Sequence, residues 1–167
     1  MNEINLGKEY LKELESEARA SRSCIERVTE NLYEYKPHEK SMQMGYLTVL
    51  VAEIPKWIAI MIEGSEINFA TWEKYKLTTT EDMLKYFDKN MEDARKALNN
   101  VSNEQLQDFF YLKAGDKVLM KTTKQESVIS ALNHWVHHRG QLTVYMRLNN
   151  IPVPEIYGPS ADENSFK

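Results

Sequence analysis

Two histidines, His134 and His138, lie four residues apart in a segment whose apolar spacing predicts a helix. Side chains four residues apart lie one above the other on the same face of a helix. Two imidazoles placed in this way can share one metal ion, because neutral imidazole is a common ligand of divalent transition metals. A protein zinc site needs at least three protein ligands, so the pair predicts a metal site only if another group joins it.

The same helical face continues beyond the two histidines. Gln141 is seven residues after His134, and Tyr145 lies about one turn further, so both are expected to face the same cavity. They either orient an imidazole or a substrate as groups outside the first coordination shell, or satisfy buried polar neighbours. His137 projects about 60° from His134 and about 100° from His138, which favours a surface or interface position.

Composition limits the class of protein. The 167 residues fit one domain, and the net charge of −4 lacks the basic excess of nucleic-acid-binding proteins. Cys24 is the only cysteine, which excludes an internal disulfide and fits a reducing compartment. The first residues do not resemble a signal peptide, and the longest uncharged stretch, residues 41–52, is too short to span a bilayer. We expect a soluble cytoplasmic protein that binds neither nucleic acid nor membrane.

Four segments have apolar residues spaced three or four apart, at about residues 6–32, 44–61, 83–98 and 125–149. Pro55 lies inside the second segment, where it removes one backbone donor and is expected to kink the helix. Thr123 and Glu126 form a capping-box pattern before the fourth segment. The sequence therefore predicts an all-α fold, an up-down four-helix bundle with inward-facing site residues.

Two further features complete the predicted architecture. Apolar runs at residues 109–112 and 118–120 flank a Gly-Asp turn, which predicts a small β-hairpin between helices 3 and 4. Residues 64–78 are predicted to be a long connection. Pro152 and Pro154 prevent the last helix from continuing. We therefore assign residues 1–150 to the bundle and residues 151–167 to an extended C-terminal tail packed on it, with a disordered end.

The sequence resembles the DinB/YfiT-like family of metalloenzymes over nearly its whole length. The resemblance is strongest at residues 40–57, at residues 134–148 and at Pro152-Val153-Pro154, and residues 134–141 match the family's His-x3-His-Arg-Gly-Gln pattern. It implies a four-helix bundle, often a homodimer, with one divalent metal ion, zinc or nickel, held by three histidines. His134 and His138 would be two of them. The third belongs to a second-helix pattern that resembles Gly-x-Leu-Ala-x-His-x-Ala-Glu.

The chain departs from this pattern at one position. Aligning Gly45, Leu47, Ala52 and Glu53 with the pattern places Leu50 where the third histidine belongs, and leucine cannot bind a metal. Glu53 projects close to Leu50 and could complete a His₂Glu set, or it is an ordinary surface or helix-pairing carboxylate. His38, in the loop before the second helix, is either another candidate ligand or a solvated loop histidine.

Two functions follow from the resemblance and this departure. The first is a metal-dependent transferase of the small-thiol S-transferase type, or a hydrolase, with an atypical metal site and a low-molecular-weight thiol as substrate. The alternative is a non-catalytic, dimeric ligand-binding or stress-related bundle whose metal site is degenerate.

Overall fold

Four long helices and one small sheet make up residues 4–166, the part of the chain that the computed structural model describes. The chain therefore forms a mainly helical fold, as its apolar spacing predicts. Met1 to Glu3 and Lys167, the last residue of the predicted tail, lie outside the described residues. The elements are α1 (Leu6–Arg27), α2 (Met44–Glu63), β1 (Glu66–Asn68), α3 (Thr80–Asn100), β2 (Phe109–Ala114), β3 (Lys117–Thr123) and α4 (Lys124–Leu148).

Side-chain caps explain where three of the helices begin. Asn5 accepts a hydrogen bond from the Lys8 amide before α1, and Thr79 accepts one from the Asp82 amide before α3. Before α4, Thr123 and Glu126 cap each other's backbone amides, so the predicted capping box is confirmed.

The first helix ends earlier than its apolar spacing predicts. α1 stops at Arg27, and Val28 is extended and completely buried. The chain then forms a short 3₁₀ turn from Glu30 to Leu32. The apolar spacing continues past the helix because these residues still pack on the core without being helical.

The sheet contains one more strand than the sequence predicts. β2 and β3 pair antiparallel, with a register shift between Leu112 and Lys113. β1 pairs with β2 in parallel, and its three residues come from the segment interpreted as a connection. Only Ile67 of β1 is buried, and a single buried position is too short a pattern to predict a strand. The sheet extends the wall that residues 64–79 form beside α2.

The second helix is the centre of the core and packs on both α3 and α4. By length and composition alone, α2 is apolar enough to cross a membrane, but 78% of its most apolar window is buried inside the fold. That burial is what a core helix of a globular fold requires. α2 is therefore the element against which the histidine-bearing α4 is positioned.

The helix α2 continues through Pro55 because another helix replaces the missing hydrogen bond. Proline has no amide hydrogen, so the Val51 carbonyl four residues earlier loses its helical donor. The indole nitrogen of Trp135, completely buried on α4, donates to this carbonyl at 2.8 Å. The side-chain amide of Asn90, on α3, donates to the next carbonyl oxygen of α2, that of Ala52, at 2.8 Å. One turn before Pro55, α2 is therefore hydrogen-bonded to both α4 and α3.

A buried ion pair joins α1 to the other side of α4. Arg139 and Glu17, at 1% and 3% exposure, form this pair. The Tyr157 hydroxyl of the tail bonds to both side chains, at 2.9 Å from an Arg139 guanidinium nitrogen and 3.0 Å from Glu17. A Cβ atom placed on Gly140, the next residue, would meet no atom of residues 4–166 within 4 Å, so no close backbone approach requires this glycine.

We predict that the cost of Trp135→Phe depends on Pro55. The substitution orphans the buried Val51 carbonyl, which costs about 1–3 kcal/mol. In a Pro55→Ala background, the new amide hydrogen satisfies that carbonyl, so the same substitution should cost about 1 kcal/mol less. Chemical denaturation of the four proteins of this double-mutant cycle measures the difference. Trp72→Phe, made in both backgrounds, is the control, and an equal cost of Trp135→Phe in both would contradict the interpretation.

Candidate functional site

A cavity of about 710 Å³ lies between α2, the connection after it and α4, and both histidines of the predicted pair line it. Leu50 and Glu53 of α2 line the same cavity. The structure thus brings three of the candidate ligands, His134, His138 and Glu53, to the same cavity as Leu50. The complete lining consists of Tyr33, Glu34, Met42, Gln43, Tyr46, Val49, Leu50, Glu53, Trp57, Phe69, Trp72, Lys74, Tyr75, Leu77, His134 and His138.

The two imidazoles lie side by side. The ring centroids of His134 and His138 are 4.4 Å apart, with 45° between the ring planes. His138 is 7% exposed, whereas His134 is exposed toward the opening and lies 5.7 Å from the Trp57 ring. The pair therefore presents one buried and one accessible imidazole to the same space.

Gln141 fixes the tautomer of the buried imidazole. His138 Nδ1 lies 2.8 Å from Gln141 Oε1, and because an amide oxygen only accepts, Nδ1 carries the proton. The nitrogen that remains able to accept a hydrogen bond is Nε2. The structure therefore places Gln141 where it orients His138, and not on the cavity surface.

Both imidazoles are held in the neutral form. Burial lowers the pKa of His134, and the neighbouring His138 and His137 lower it further. Burial also lowers the pKa of His138, against a smaller opposing effect of the Gln141 hydrogen bond. At neutral pH, the pair therefore offers lone pairs and no positive charge.

The carboxylate of Glu53 is buried beside the imidazoles at 5% exposure. The Tyr86 hydroxyl donates to its Oε1 at 2.7 Å, and the Tyr86 ring stacks on Tyr75 at 4.0 Å between centroids. Burial raises the pKa of Tyr86, and the Glu53 carboxylate raises it further, so the phenol keeps its proton. Glu53 is therefore an interior carboxylate of this cavity and not a surface group.

The remaining candidates lie away from the cavity surface. Tyr145 is buried and its hydroxyl donates to the Met42 carbonyl at 3.3 Å, so it anchors the segment that leads into α2. His38 is exposed, and its Nδ1 accepts a hydrogen bond from the Lys40 amide at 3.1 Å. His137 is exposed. Burial raises the pKa of the Cys24 thiol to about 11, which makes this thiol unreactive.

The donor set of the cavity differs from a three-histidine site. Leu50, at 7% exposure, faces the cavity from the helix that should supply the third imidazole. Within residues 4–166, no group of three His, Cys, Asp or Glu side chains is arranged to hold a metal ion. The residues present thus do not fit the metal centre that the resemblance implies.

The aromatic wall of the cavity is the part that the sequence analysis missed. Six of the sixteen lining residues are Phe, Trp or Tyr, against 10% of the whole chain. Trp57 and Trp72 belong to this wall, as do Phe69 and Tyr75. Phe69, Trp72 and Tyr75 lie in a segment without helical or strand periodicity, so no sequence pattern marked them as one surface.

These features define a mainly helical protein with a histidine pair in an aromatic cavity between two helices. The sequence model of the DinB family matches residues 1–165, and the chain therefore belongs to the DinB family. Among curated proteins, the chain is similar to YrdA of Bacillus subtilis, with 53% identity over 32 residues. That match spans 19% of this chain and 19% of YrdA.

Solved structures of DinB-like proteins have the same fold. The chain is similar to the DinB-like protein YjoA of Bacillus subtilis, with a TM-score of 0.68, 22% identity, and coverage of 89% of this chain and 97% of the other. For a DinB-like protein of Bacillus cereus, the TM-score is 0.65 and the identity 17%, with coverage of 89% of this chain and 95% of the other. For a proposed DinB family member of Exiguobacterium sibiricum, the TM-score is 0.69 and the identity 12%, with coverage of 92% of this chain and 98% of the other. At these identities, the likeness concerns the fold alone.

We predict that the histidine pair makes the protein less stable in mild acid. Because the folded pKa of each imidazole lies below its unfolded value of about 6.5, the unfolded chain binds more protons. The free energy of unfolding is therefore greatest above about pH 6.5, and it decreases as the pH falls from that value towards the lower folded pKa values. Urea denaturation across this range should show a shallower loss for the double variant His134→Gln/His138→Gln. Ring-proton NMR titration midpoints above 6.5 would contradict the prediction.

Proposed function

We propose that this DinB-family protein binds a small organic molecule in the aromatic cavity, with the two neutral imidazoles and Glu53 as its polar contacts. The observation that carries the proposal is the position of Leu50. It lines the cavity where the family resemblance requires a metal ligand, yet the cavity keeps an open volume of about 710 Å³. This combination favours the ligand-binding function with a degenerate metal site over metal-dependent catalysis.

The shape and lining of the cavity support this function. Small-molecule sites in proteins are clefts of about 300–1,000 Å³ with apolar and aromatic walls and a few polar groups that fix orientation. This cavity has the required size, and its buried polar side chains Glu53 and His138 lie on α2 and α4. Trp57 joins the aromatic and the polar parts of the lining, because it belongs to the aromatic wall and its ring centroid lies 5.7 Å from that of His134.

We predict that filling the cavity abolishes binding. Leu50→Trp places a larger side chain in the space between the helices, so aromatic fragments that bind the natural protein should lose their saturation-transfer NMR signal. Val144→Trp adds the same ring on an exposed position of α4 and is the matched control. Fragments that bind both variants equally would remove the cavity as the binding site. Circular dichroism of both variants checks that the fold is kept.

A metal-dependent transferase of small thiols, or a hydrolase, is the second candidate. Two observations favour it: the imidazoles are adjacent, and Gln141 orients His138 so that Nε2 is available to a ligand. Orientation of a metal-binding imidazole through its other ring nitrogen is usual in metalloproteins. Glu53 lines the same cavity as the pair, although its Oε1 already accepts a hydrogen bond from Tyr86. Zinc or nickel would be the metal in this candidate.

We predict that Leu50→His creates or tightens a metal site. The substitution supplies the third imidazole, so zinc should bind at one equivalent, at least about tenfold more tightly than to the natural protein. The measurement is isothermal titration of protein without a His-tag, followed by elemental analysis. Adding His138→Ala should abolish the gain. An unchanged affinity would mean that the second helix has been aligned incorrectly with the family pattern.

The remaining expectations also belong to this proposal. The up-down order of the helices, the β-hairpin, the homodimer and the cytoplasmic location are proposed from the sequence and from the family resemblance. Size-exclusion chromatography with light scattering tests the dimer.

A further inference from the structure

We propose that the ligand of the cavity is an organic cation, namely a protonated amine carried on an apolar body. This inference rests on the proposed function, because it names the chemical class that the same cavity takes. Its starting point is Glu53, which is a buried carboxylate without a positively charged partner. Among the described residues, no Lys, Arg or His nitrogen lies within 4.0 Å of this carboxylate in an ion pair.

Only one oxygen of the Glu53 carboxylate is paired within the described residues. Oε1 of Glu53 accepts from the Tyr86 hydroxyl, and Oε2 has no hydrogen-bond donor among residues 4–166. A buried carboxylate is costly unless its oxygens are paired. Of the other two buried carboxylates among the described residues, Glu17 pairs with Arg139, and Glu155 accepts a hydrogen bond from the Ser165 amide and lies outside the cavity lining. Glu53 is therefore the buried carboxylate that lines the cavity without a positively charged partner.

The histidine pair also needs hydrogen-bond donors from a ligand. Because His138 Nδ1 donates to Gln141, its Nε2 accepts, and His134 has no hydrogen-bond partner within the described part of the chain. The buried polar groups of the lining therefore include two acceptors without a donor among residues 4–166, namely Glu53 Oε2 and His138 Nε2. A ligand that donates several hydrogen bonds and carries positive charge satisfies them, whereas a carboxylate or thiolate ligand would be repelled by Glu53.

The aromatic wall favours the same charge. The face of an aromatic ring attracts cations within about 6 Å of its centroid. The protein already uses this interaction beside the cavity, where the Lys56 ammonium lies 4.9 Å from the Trp72 ring centroid and 5.9 Å from that of Tyr86. Lys56 thus contacts these rings and does not pair with Glu53, three residues earlier in α2. Trp57 and Tyr75 provide further rings in the cavity lining.

The charges at the opening do not reverse this preference. Glu34 and Lys74, the other charged lining residues, are both exposed to solvent, and Glu34 accepts a hydrogen bond from Gln43. Solvent screens exposed charges more effectively than buried ones. The buried negative charge of Glu53 is therefore the dominant fixed charge that a ligand meets inside the cavity.

Three probes of similar size test the inference: 2-phenylethylammonium, the neutral 2-phenylethanol and the anionic 3-phenylpropanoate. Titrations of ¹⁵N-labelled protein are followed by NMR at neutral pH in buffer with EDTA, so that no metal ion supplies the contact. We expect the cation to bind at least about tenfold more tightly than the alcohol, because charge-assisted hydrogen bonds are the stronger ones. The anion should bind most weakly.

Glu53→Gln then identifies the residue responsible. It keeps an oxygen for Tyr86 but removes the charge, so affinity for the cation should fall about tenfold while affinity for the alcohol is unchanged. Glu92→Gln, which removes an exposed carboxylate of α3 outside the cavity lining, is the matched control and should change affinity for the cation less than about twofold. Unchanged binding of the alcohol also shows that the variant cavity is intact.

The outcomes separate this inference from the proposed function. Equal affinity of the natural protein for the cation and the alcohol, with both lost in Leu50→Trp, would overturn the inference and leave the proposed function standing. Failure of all three probes to bind, or binding that Leu50→Trp does not affect, would overturn both. If Glu53→Gln does not fold, the ranking of the three probes on the natural protein decides the question by itself.

Discussion

The hydrogen bond from the Trp135 indole to the Val51 carbonyl is the contact on which the site depends. Pro55 removes the only helical donor for that carbonyl, so an unmatched α2 would carry an orphaned acceptor in the core. Trp135 supplies the donor from α4 at 2.8 Å. His134 is its neighbour in sequence, and Leu50 is the neighbour of Val51. A single side-chain contact thus fixes the level at which the histidine pair meets α2.

The same helix gives the cavity two opposite properties. α2 presents the apolar side chains of Leu50 and Trp57, and between them Glu53, which is buried. Apolar walls lower the local dielectric constant, so a buried charge acts on a bound molecule more strongly than an exposed one. The stacked pair of Tyr75 and Tyr86 holds the carboxylate in place through the Tyr86 hydroxyl. Burial by itself therefore converts an ordinary glutamate into the main electrostatic feature of the site.

The features that could be predicted from the sequence are those that depend on residues close together in the chain. The capping box at Thr123 and the helix carrying His134 and His138 follow from side chains within a few residues of one another, and both are present. The aromatic wall could not be predicted in this way, because Phe69 and Trp72 lie in a segment without regular period. Their position depends on β1, whose parallel pairing with β2 joins residues more than forty apart. Sequence spacing carries no signal for such a long-range contact.

The metal ion of the second candidate function and the proposed organic cation both carry positive charge. A metal ion and an organic ammonium both satisfy a buried carboxylate and neutral imidazoles, but they differ in the space and the geometry they need. A metal ion requires three donors to converge on one point at about 2 Å, and Leu50 keeps one of the three directions apolar. An ammonium group donates hydrogen bonds to acceptors spread over a larger volume and is also attracted by aromatic faces. The six aromatic residues of this cavity therefore favour the proposed organic cation over a metal centre.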